Sequence, residues 1–390
     1  MSVLHAREDK ECSEKTEVRD RWCAWVNERL LPQAASIDQH GITPRSLLAE
    51  IGSIGGFSVG LGEVEGEEFG SLRDMAIVHE EVGRGSAAVR SFLTVHCMLL
   101  QAVCRWGRLP VGDNRLHDLL KGTRLGGLAF SEMGIGSDLA GVKATASRTA
   151  SGRYELCGIK RWVTGGQVLD SALVLAVADG GPTVFLVDCH STGVRREALC
   201  DVIGARGSMM ADIHFEDVTV GDDAIIGGEG MGLAIATGIL DYGRLSVAAG
   251  SVGIVQACLD CSVDYAWPCS KDGRQIGDFQ LIQELVSKMS VAASAGRALV
   301  AEAALSKELG LSSTLLKTCI AKQFAATSAV QAANDAVQLH GAAGLTTRYP
   351  VERLLRDAKV MEIIEGSTQI QHGIIAEATR DALRQVGGVR

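Results

Sequence analysis

Hydrophobic and polar positions along the chain follow different periods in three successive zones. Up to about residue 124, apolar residues recur every three or four positions with charges between them, as at Met75, Val78 and Val82. This spacing is typical of helices that bury one face. The stretches that show it are residues 17–31 and 71–106.

The pattern changes between residues 125 and 227. Here the apolar runs are short, alternating or continuous, and turn sequences such as Asp-Gly-Gly at 179–181 separate some of them, which predicts strands. The strand-sized runs are residues 125–130, 154–156, 172–177, 184–187 and 213–215. Strands at such short spacing predict a small antiparallel β domain, either a barrel or a sandwich.

The helical period returns at about residue 228 and lasts to the end of the chain. The predicted helices are mostly long and free of internal proline, at residues 232–265, 279–308, 313–340, 351–363 and 368–386. Helices longer than twenty residues favour a bundle. We therefore predict an α+β chain with an N-terminal helical domain (1–124), a central β domain (125–227) and a C-terminal helical bundle (228–390).

Composition narrows the class of protein. The 390 residues suffice for a large core, and a net charge of −9 disfavours a nucleic-acid or anionic-membrane surface. Eleven scattered cysteines are unlike a disulfide framework, and the charged N-terminus is unlike a signal peptide, so we expect a cytoplasmic protein. Cys258 and Cys261 form the one Cys-x-x-Cys and are interpreted as buried helix thiols. We predict no metal site, because the nine histidines are dispersed.

Two segments of the β zone are candidates for ligand binding. Residues 130–138, FSEMGIGSD, follow a predicted strand and offer N–H groups and hydroxyls to a flat polar ligand or a phosphate, although an ordinary turn is the more common explanation. In residues 160–166, KRWVTGG, strand alternation places the Trp162 ring and the Thr164 hydroxyl on one side. The competing interpretation is a core tryptophan with a sheet-face threonine.

Two charged residues of the helical zone are candidates for catalysis. Arg244 follows Asp-Tyr-Gly at the opening of a nearly uncharged helix, where it either binds an anionic ligand group or pairs with a carboxylate from elsewhere. Glu365 stands between Ile-Ile and Gly-Ser, at a break between two helices. Such a glutamate is either a surface cap partner or a buried base, whose raised pKa suits proton abstraction.

Taken together and in this order, the segments resemble the acyl-CoA dehydrogenase family. The resemblance covers about residues 45 to 385 and rests on SEMGIGSD, KRWVTGG, GRLSVAAGSVGI, QLHGAAG and RDAKVMEIIEGSTQIQ. It implies a helical domain, a β domain and a C-terminal four-helix domain. It further implies a flavin-dependent oxidoreductase that holds FAD and dehydrogenates an acyl thioester, as a homodimer or homotetramer in which a neighbouring subunit completes the flavin site.

The resemblance also implies roles for the candidate residues. Glu365 resembles the catalytic base that takes the α-proton while the β-hydrogen leaves as hydride to flavin N5, and Arg244 matches an arginine near the thioester. Ser131 matches a hydroxyl near the flavin pyrimidine edge, and Ser137 one that serves the pyrophosphate or the thioester tail.

The remaining matches in the family also concern FAD. Two residues match positions that pack on or bond to the isoalloxazine: Trp162 and Thr164. Three residues match contacts to the ADP half from the partner subunit: Gln280, Gln338 and Gly341. Two residues after the base match adenosine or pyrophosphate contacts: Ser367 and Gln369.

The chain departs from the family pattern in places that concern FAD. Met133 stands where a proline usually follows the motif glutamate. In the family's Arg-x-x-Phe-Gly signature, Cys269 replaces the arginine that bonds the pyrophosphate, and Asp272 replaces the phenylalanine. Lys271 or Arg274 would have to substitute. The alternative function is therefore a family member with weakened FAD binding, acting as a non-redox or acyl-thioester-binding protein.

A narrower resemblance concerns the substrate. YGRLSVAAGSVGI paired with RDAKVMEIIEGS resembles the branch that acts on acyl-carrier-protein thioesters in polyketide extender-unit biosynthesis, as in the hydroxymalonyl and methoxymalonyl pathways. The implied substrate is a short acyl group on acyl carrier protein or CoA, and the electron acceptor, an electron-transfer flavoprotein or oxygen, stays open. Docking an acidic carrier protein would need a cationic patch, for which Arg353, Arg356 and Lys359 are candidates.

Overall fold

The computed structural model describes residues 17–64, 66–107, 113–271 and 273–387. Its first part is helical, as predicted, with a two-stranded hairpin of β1 (Glu63–Val64) and β2 (Glu67–Glu68). The helices are α1 (residues 17–25), a π-helical turn (Val26–Leu30), α2 (Leu31–His40), α3 (Arg45–Ser53), α4 (Leu72–Gly85), α5 (Ala87–Trp106) and α6 (Arg115–Leu120).

The predicted helical stretch 71–106 is two helices, because Ser86 interrupts it. The backbone of Ser86 is extended, and its hydroxyl accepts a hydrogen bond from Val89 N at 3.4 Å, which caps α5. At the other end of α4, Ser71 and Asp74 form a reciprocal capping box. The three- and four-residue spacing of apolar positions continues across Ser86, because both helices bury apolar faces. This spacing alone therefore does not reveal the break.

The central part forms one eight-stranded sheet with the order β10-β7-β6-β4-β5-β9-β8, and β3 pairs with β6. The strands are β3 (Gly126–Ala129), β4 (Thr145–Arg148), β5 (Tyr154–Val163), β6 (Ser171–Ala178), β7 (Gly181–Asp188), β8 (Val194–Ala198), β9 (Ala211–Val220) and β10 (Ile225–Ile226). The antiparallel prediction is wrong at two pairings, since β3 and β4 both run parallel to β6. The other pairings of this sheet are antiparallel.

The C-terminal helices follow the predicted bounds to within one or two residues. They are α7 (Gly232–Ala266), α8 (Gln280–Glu308), α9 (Thr314–His340), α10 (Val351–Met361) and α11 (Thr368–Gly387), with a short hairpin of β11 (Ser270–Lys271) and β12 (Arg274–Gln275) before α8. Helix α7 packs against α4, α5, α8 and α9. The predicted fold class is confirmed, since helices, a β domain and helices follow one another along the chain.

The long apolar helices α5 and α7 form the centre of the molecule. By length and hydropathy alone each is a candidate membrane span, but 94% and 72% of their apolar windows are buried inside the protein, as in core helices. Cys258 and Cys261 lie on α7 as unbridged thiols, the first buried and the second half-buried. Helices α4 and α7 approach closely, because a methyl group on Gly83 would lie 2.6 Å from Gly250 O.

Candidate active site

Glu365 lies in the turn between α10 and α11 and points its carboxylate at α7. A methyl group on Gly243 would lie 2.5 Å from Glu365 Oε2 and 2.8 Å from Met98 Sδ, so the carboxylate sits against the α7 backbone beside α5. Oε2 is buried and has no hydrogen-bond partner among the residues that the structure describes. Burial raises the pKa of Glu365, while the positive charges of Arg244, Arg90 and Lys322 act to lower it.

The backbone that presents this carboxylate is in an unfavourable conformation. Glu365 has φ +54° and Gly366 has φ +87°, so two consecutive residues are left-handed, which costs a non-glycine residue about 1–2 kcal/mol. The turn is held by Lys322 Nζ, which donates to Gly366 O at 2.7 Å. Gln371 Nε2 donates to the same oxygen at 3.1 Å.

Arg244, the second predicted catalytic residue, lies directly beside this carboxylate. It follows Gly243 on α7 and is buried, and within the described part of the chain its Nε and Nη1 have no hydrogen-bond partner. The nearby Asp241 does not pair with it, because Asp241 accepts from Lys307 instead. Buried guanidinium N–H groups that no described residue accepts, as at Nε and Nη1, are available to a polar group of a ligand.

The first sequence motif forms a loop that Glu132 organises. Glu132 accepts hydrogen bonds from the backbone of Lys143 and Ala144, both at 2.9 Å, and from Lys160 Nζ at 2.6 Å. Lys160 is fully buried, so this ion pair is an internal brace rather than a ligand contact. It holds Ser131, which is half-buried, against β5, since Arg161 N donates to Ser131 O at 2.8 Å.

Trp162 is an exposed aromatic ring on a strained backbone. Its φ is +59° and it is 56% exposed, while the register of β5 shifts between Lys160 and Val163. The strand ends at Val163, so Thr164 lies in the following turn. The alternation that predicted a common side for Trp162 and Thr164 therefore does not apply here, and the core-tryptophan interpretation is wrong.

A loop of the β domain joins this turn to the helix that precedes Glu365. Gly165 N donates to Ser208 O at 2.8 Å, and Ala205 N donates to Asp357 Oδ1 of α10 at 2.6 Å. A methyl group on Gly165 would lie 2.6 Å from Phe92 of α5, so α5 lies beneath both regions. The two predicted groups of residues are thereby connected through one packed unit.

The residues predicted to contact the ADP half lie at helix ends. Gln280 begins α8, Gln338 and Gly341 stand at the end of α9, and all three are exposed. Two further residues follow Glu365 and Gly366. Ser367 is half-buried and Gln369 is exposed, as is Ser137 of the β domain. Their roles stay predictions.

The departure at Cys269 lies before the β11–β12 hairpin. Ile276 N donates to Cys269 O at 2.9 Å, which closes the hairpin. The Arg274 guanidinium stacks over Phe279 at 4.7 Å from the ring centre. Asp272 and the Lys271 side chain lie outside the described residues.

The predicted cationic docking patch is wrong at its two arginines, while Lys359 is exposed and stays a prediction. Arg353 is buried, and Arg356 pairs with Asp38 at 2.6 Å and with Glu352 at 2.9 Å. Lys359 pairs with Glu362 at 2.6 Å. Helical spacing made these cations look accessible, but α10 turns the two arginines into the protein.

The site therefore combines a carboxylate with a buried oxygen, at Glu365, and an exposed tryptophan at the end of a strand that glycines follow. These features define a class of protein with one acidic side chain and one aromatic plane open to a ligand. Sequence comparisons agree. Three family models match: the N-terminal (residues 13–123), middle (127–218) and C-terminal (230–379) domains of acyl-CoA dehydrogenase. The chain belongs to the acyl-CoA dehydrogenase family.

Individual relatives support the same assignment. The human mitochondrial short-chain specific acyl-CoA dehydrogenase is 32% identical over 358 residues, which cover 90% of this chain and 86% of that protein. The probable acyl-CoA dehydrogenase YngJ of Bacillus subtilis is 32% identical over 93% of this chain and 97% of its own length. The butyryl-CoA dehydrogenase structure from Megasphaera elsdenii matches with a TM-score of 0.89 and 28% identity, covering 94% and 97% of the two chains.

The protein is a flavin-dependent oxidoreductase that uses FAD, and the residues present fit that group. The Trp162 ring is a large apolar plane that is 56% exposed, although the Arg161 guanidinium lies 5.1 Å from its centre. The hydroxyl residues Ser131 and Thr164 are half-buried. Methyl groups on Gly134 and Gly136 would meet nothing within 4 Å, so their loop is open to a ligand.

Sequence reasoning missed two buried cations of this site. Lys322 lies on α9 and Arg90 on α5, and both are fully buried. Each lies in a helix whose other buried residues are mostly apolar or small. A charged residue among apolar positions of a buried helix is the signal that could have identified them.

Proposed function

We propose that this chain dehydrogenates a short acyl thioester, with Glu365 as the base that removes the α-proton. One observation carries the proposal: among the described residues, Oε2 of the Glu365 carboxylate is buried without a hydrogen-bond partner, as are Nε and Nη1 of the neighbouring Arg244. A lone pair free of other donors is available to accept a proton. When bound, FAD supplies the acceptor for the hydride from the β-carbon.

The surroundings of Glu365 suit it to abstract a weakly acidic proton. Burial raises the pKa of Glu365, and a carboxylate of higher pKa is a stronger base. The positive charges of Arg244, Arg90 and Lys322 act against this rise, because each favours the charged form of Glu365. Gly243 leaves room for the carboxylate where any side chain would displace it.

Arg244 is proposed to bind the polar end of the reacting group. No residue that the structure describes accepts from its Nε or Nη1, so a thioester or enolate oxygen would satisfy a buried donor there. Negative charge develops on that oxygen when the α-proton leaves, and a fixed cation stabilises it.

The proposed assembly is a homodimer or homotetramer in which a second copy covers the ends of α8 and α9. Leu281 is 77% exposed beside Gln280, and Leu345 is 75% exposed near Gly341. Exposed leucines next to the predicted ADP contacts favour a covered surface. Sedimentation of the holoprotein tests this, and a monomer that keeps FAD would overturn the assembly.

Presentation of the substrate on acyl carrier protein is proposed from the motif resemblance, and presentation on CoA is the competing form. Both share the phosphopantetheine arm. Anaerobic reduction of bound flavin by short acyl groups, each on CoA and on carrier protein, separates the two. A purified protein that stays colourless after incubation with FAD would overturn the proposed dehydrogenase.

A further inference from the structure

Residues 203–209, here called the bridging loop, lie between α10 and the turn that follows β5. Two residues of this loop, Ala205 and Met209, have left-handed backbones with φ +49° and +44°, a conformation that is unfavourable for residues other than glycine. Both side chains are buried. Contacts from outside the bridging loop therefore have to hold it in this conformation.

The carboxylate of Asp357 on α10 provides one of these contacts. It is buried, and its Oδ1 accepts a hydrogen bond from Ala205 N at 2.6 Å. A methyl group on Gly204 would lie 2.3 Å from Arg356 O, so the backbone of the bridging loop packs directly on the backbone of α10. Arg356 Nη1 adds a hydrogen bond to Ile203 O at 3.2 Å. The first half of the bridging loop is thus fixed to α10.

The second half of the bridging loop holds the turn that follows β5. Gly165 N donates to Ser208 O at 2.8 Å, and Gln167 N donates to Met209 O at 3.2 Å. Trp162 lies just before this turn, near the end of β5. The bridging loop therefore also fixes the segment that presents the tryptophan ring.

The Asp357 carboxylate is surrounded by charges of both signs. Burial raises its pKa to about 6, whereas the backbone N–H that it accepts and the positive charges of Arg353 and Arg356 favour the charged form. Asp38 of α2 opposes ionisation, and Arg90 of α5 acts on Asp357 through space. At pH 8 the carboxylate is therefore ionised, and a charged acceptor forms a stronger hydrogen bond than a neutral one.

The two segments that the bridging loop connects carry the two sides of the candidate site. Glu365 lies in the turn that follows α10, so the placement of α10 sets the placement of its carboxylate. Trp162 lies on the other side, in the β domain. The reaction proposed above takes a proton and a hydride from neighbouring carbons, which requires a fixed separation between these two sides. A misplacement of about 1 Å can lower a rate roughly 100-fold.

Resting on the proposed function, we propose that Asp357 is a positioning residue for the reaction. Through the bridging loop it fixes the segment that carries Glu365 relative to the segment that carries Trp162. Because it acts through the loop and not on the substrate, its loss should slow the reaction at saturating substrate and leave substrate binding unchanged.

Single-turnover flavin bleaching of the holoprotein at pH 8 tests the effect on rate. The substrate is the fastest of the butyryl and pentanoyl thioesters of CoA and carrier protein. Asp357→Ala should lower the saturating bleaching rate roughly 10- to 100-fold, with FAD content and half-saturating concentration within about twofold of wild type. Asp357→Asn keeps an oxygen acceptor for Ala205 N and should recover most of that loss. Gly204→Ala pushes the bridging loop away from α10 without changing the carboxylate, so it should slow bleaching similarly and decides the question if Asp357→Ala does not fold.

Amide hydrogen exchange of the holoprotein without substrate gives a readout that is independent of turnover. Asp357→Ala should speed exchange in residues 163–168 and also in residues 362–368, roughly 10- to 100-fold. The matched control is Thr43→Val, because Thr43 Oγ1 donates to Gly207 O at 2.8 Å and holds the same loop to the α2–α3 connection. This control should speed exchange in the bridging loop alone and keep the wild-type bleaching rate.

The outcomes separate this proposal from the proposed function. Unchanged bleaching in Asp357→Ala and Gly204→Ala, or unchanged exchange in residues 362–368, would overturn the positioning role while leaving dehydrogenation intact. A loss of FAD or a raised half-saturating concentration in place of a lower saturating rate would assign Asp357 to binding or to the fold, which also overturns it. If no thioester bleaches the wild-type flavin, the proposed function fails, and faster exchange in both segments of Asp357→Ala would still support the link through the bridging loop.

Discussion

Replacing Lys322 with methionine should impair catalysis while leaving the fold about as stable. Lys322 is fully buried on α9, and its Nζ donates to Gly366 O at 2.7 Å and lies 3.5 Å from Glu362 O. These carbonyls flank Glu365, whose left-handed backbone is strained. Methionine has a similar unbranched shape but no N–H donor, so it removes the anchor and keeps most of the packing.

The expected size of the effect follows from two opposing free energies. A hydrogen bond from a charged donor contributes about 1.5–3 kcal/mol, which offsets the strain of about 1–2 kcal/mol at Glu365. Without it, the turn should leave the catalytic conformation, and the rate should fall roughly 10- to 100-fold. Burial lowers the pKa of Lys322 to about 8, so keeping this lysine charged in the fold at pH 7 costs about 3 kcal/mol. The methionine variant avoids that cost, which offsets the lost hydrogen bond. The free energy of unfolding should therefore stay nearly unchanged at pH 7.

The pH dependence of stability provides an independent check. Because the pKa of Lys322 is lower in the folded protein than its ordinary value of 10.5, the unfolded chain binds more protons between about pH 8 and 10.5. The contribution of Lys322 to stability therefore rises with pH across that window, and Lys322→Met should lose this rise.

Three measurements decide the outcome for Lys322. They are the single-turnover rate of flavin bleaching at pH 8, the FAD content, and urea unfolding at pH 7 and 9.5. The control is Lys317→Met on the same helix, where Nζ pairs with Glu302 at 3.0 Å far from the turn. A wild-type bleaching rate in Lys322→Met, or a loss of rate that only tracks a loss of folded protein, would refute the reasoning.

Four further predictions concern the site. Glu365→Gln should keep FAD and lose substrate-driven bleaching, and unchanged bleaching would remove Glu365 as the base. Gly243→Ala should cut the bleaching rate at least roughly tenfold with FAD retained, because its methyl group would lie 2.5 Å from Glu365 Oε2; an unaffected rate would contradict this geometry. Arg244→Gln should raise the pKa of Glu365 further, since Arg244 acts to lower it, and so move the acid limb of the pH–rate profile to higher pH; a stationary limb would exclude that electrostatic role. Cys269→Arg should lower the FAD dissociation constant, measured by flavin fluorescence, and no change would mean that Arg274 or Lys271 already serves the pyrophosphate.

The long elements of the fold were predictable because each repeats one period many times. Helix α7 has 35 residues and α8 has 29, and both were predicted with nearly correct bounds. The strands that were missed are short or half-exposed, such as Val194–Ala198, whose sequence VRREA carries three charges. Its place in the sheet comes from pairing with β9, which no local pattern records.

The geometry of the site was less predictable than its residues. Motifs identified Glu365 and Trp162, but both are left-handed without being glycine, and local propensity argues against that conformation. At Trp162 the left-handed conformation accompanies the register shift in β5. At Glu365 the same conformation is held by hydrogen bonds to Gly366 O from Lys322 of α9 and Gln371 of α11. Contacts between residues distant in sequence thus set the positions of the Glu365 carboxylate and the Trp162 ring.

The charge state of Glu365, the proposed base, depends in the same way on residues distant in sequence. Arg90, Arg244 and Lys322 come from α5, α7 and α9, and each favours the ionised form of Glu365, while burial favours the neutral form. Each cation lies on a helix whose buried residues are mostly apolar or small, so periodicity predicts that it is buried but not that the three surround one carboxylate. The balance implies that neutralising any of them raises the pKa of Glu365. Lys322→Met and Arg90→Met should therefore each shift the acid limb in the direction expected for Arg244→Gln, whatever they do to positioning.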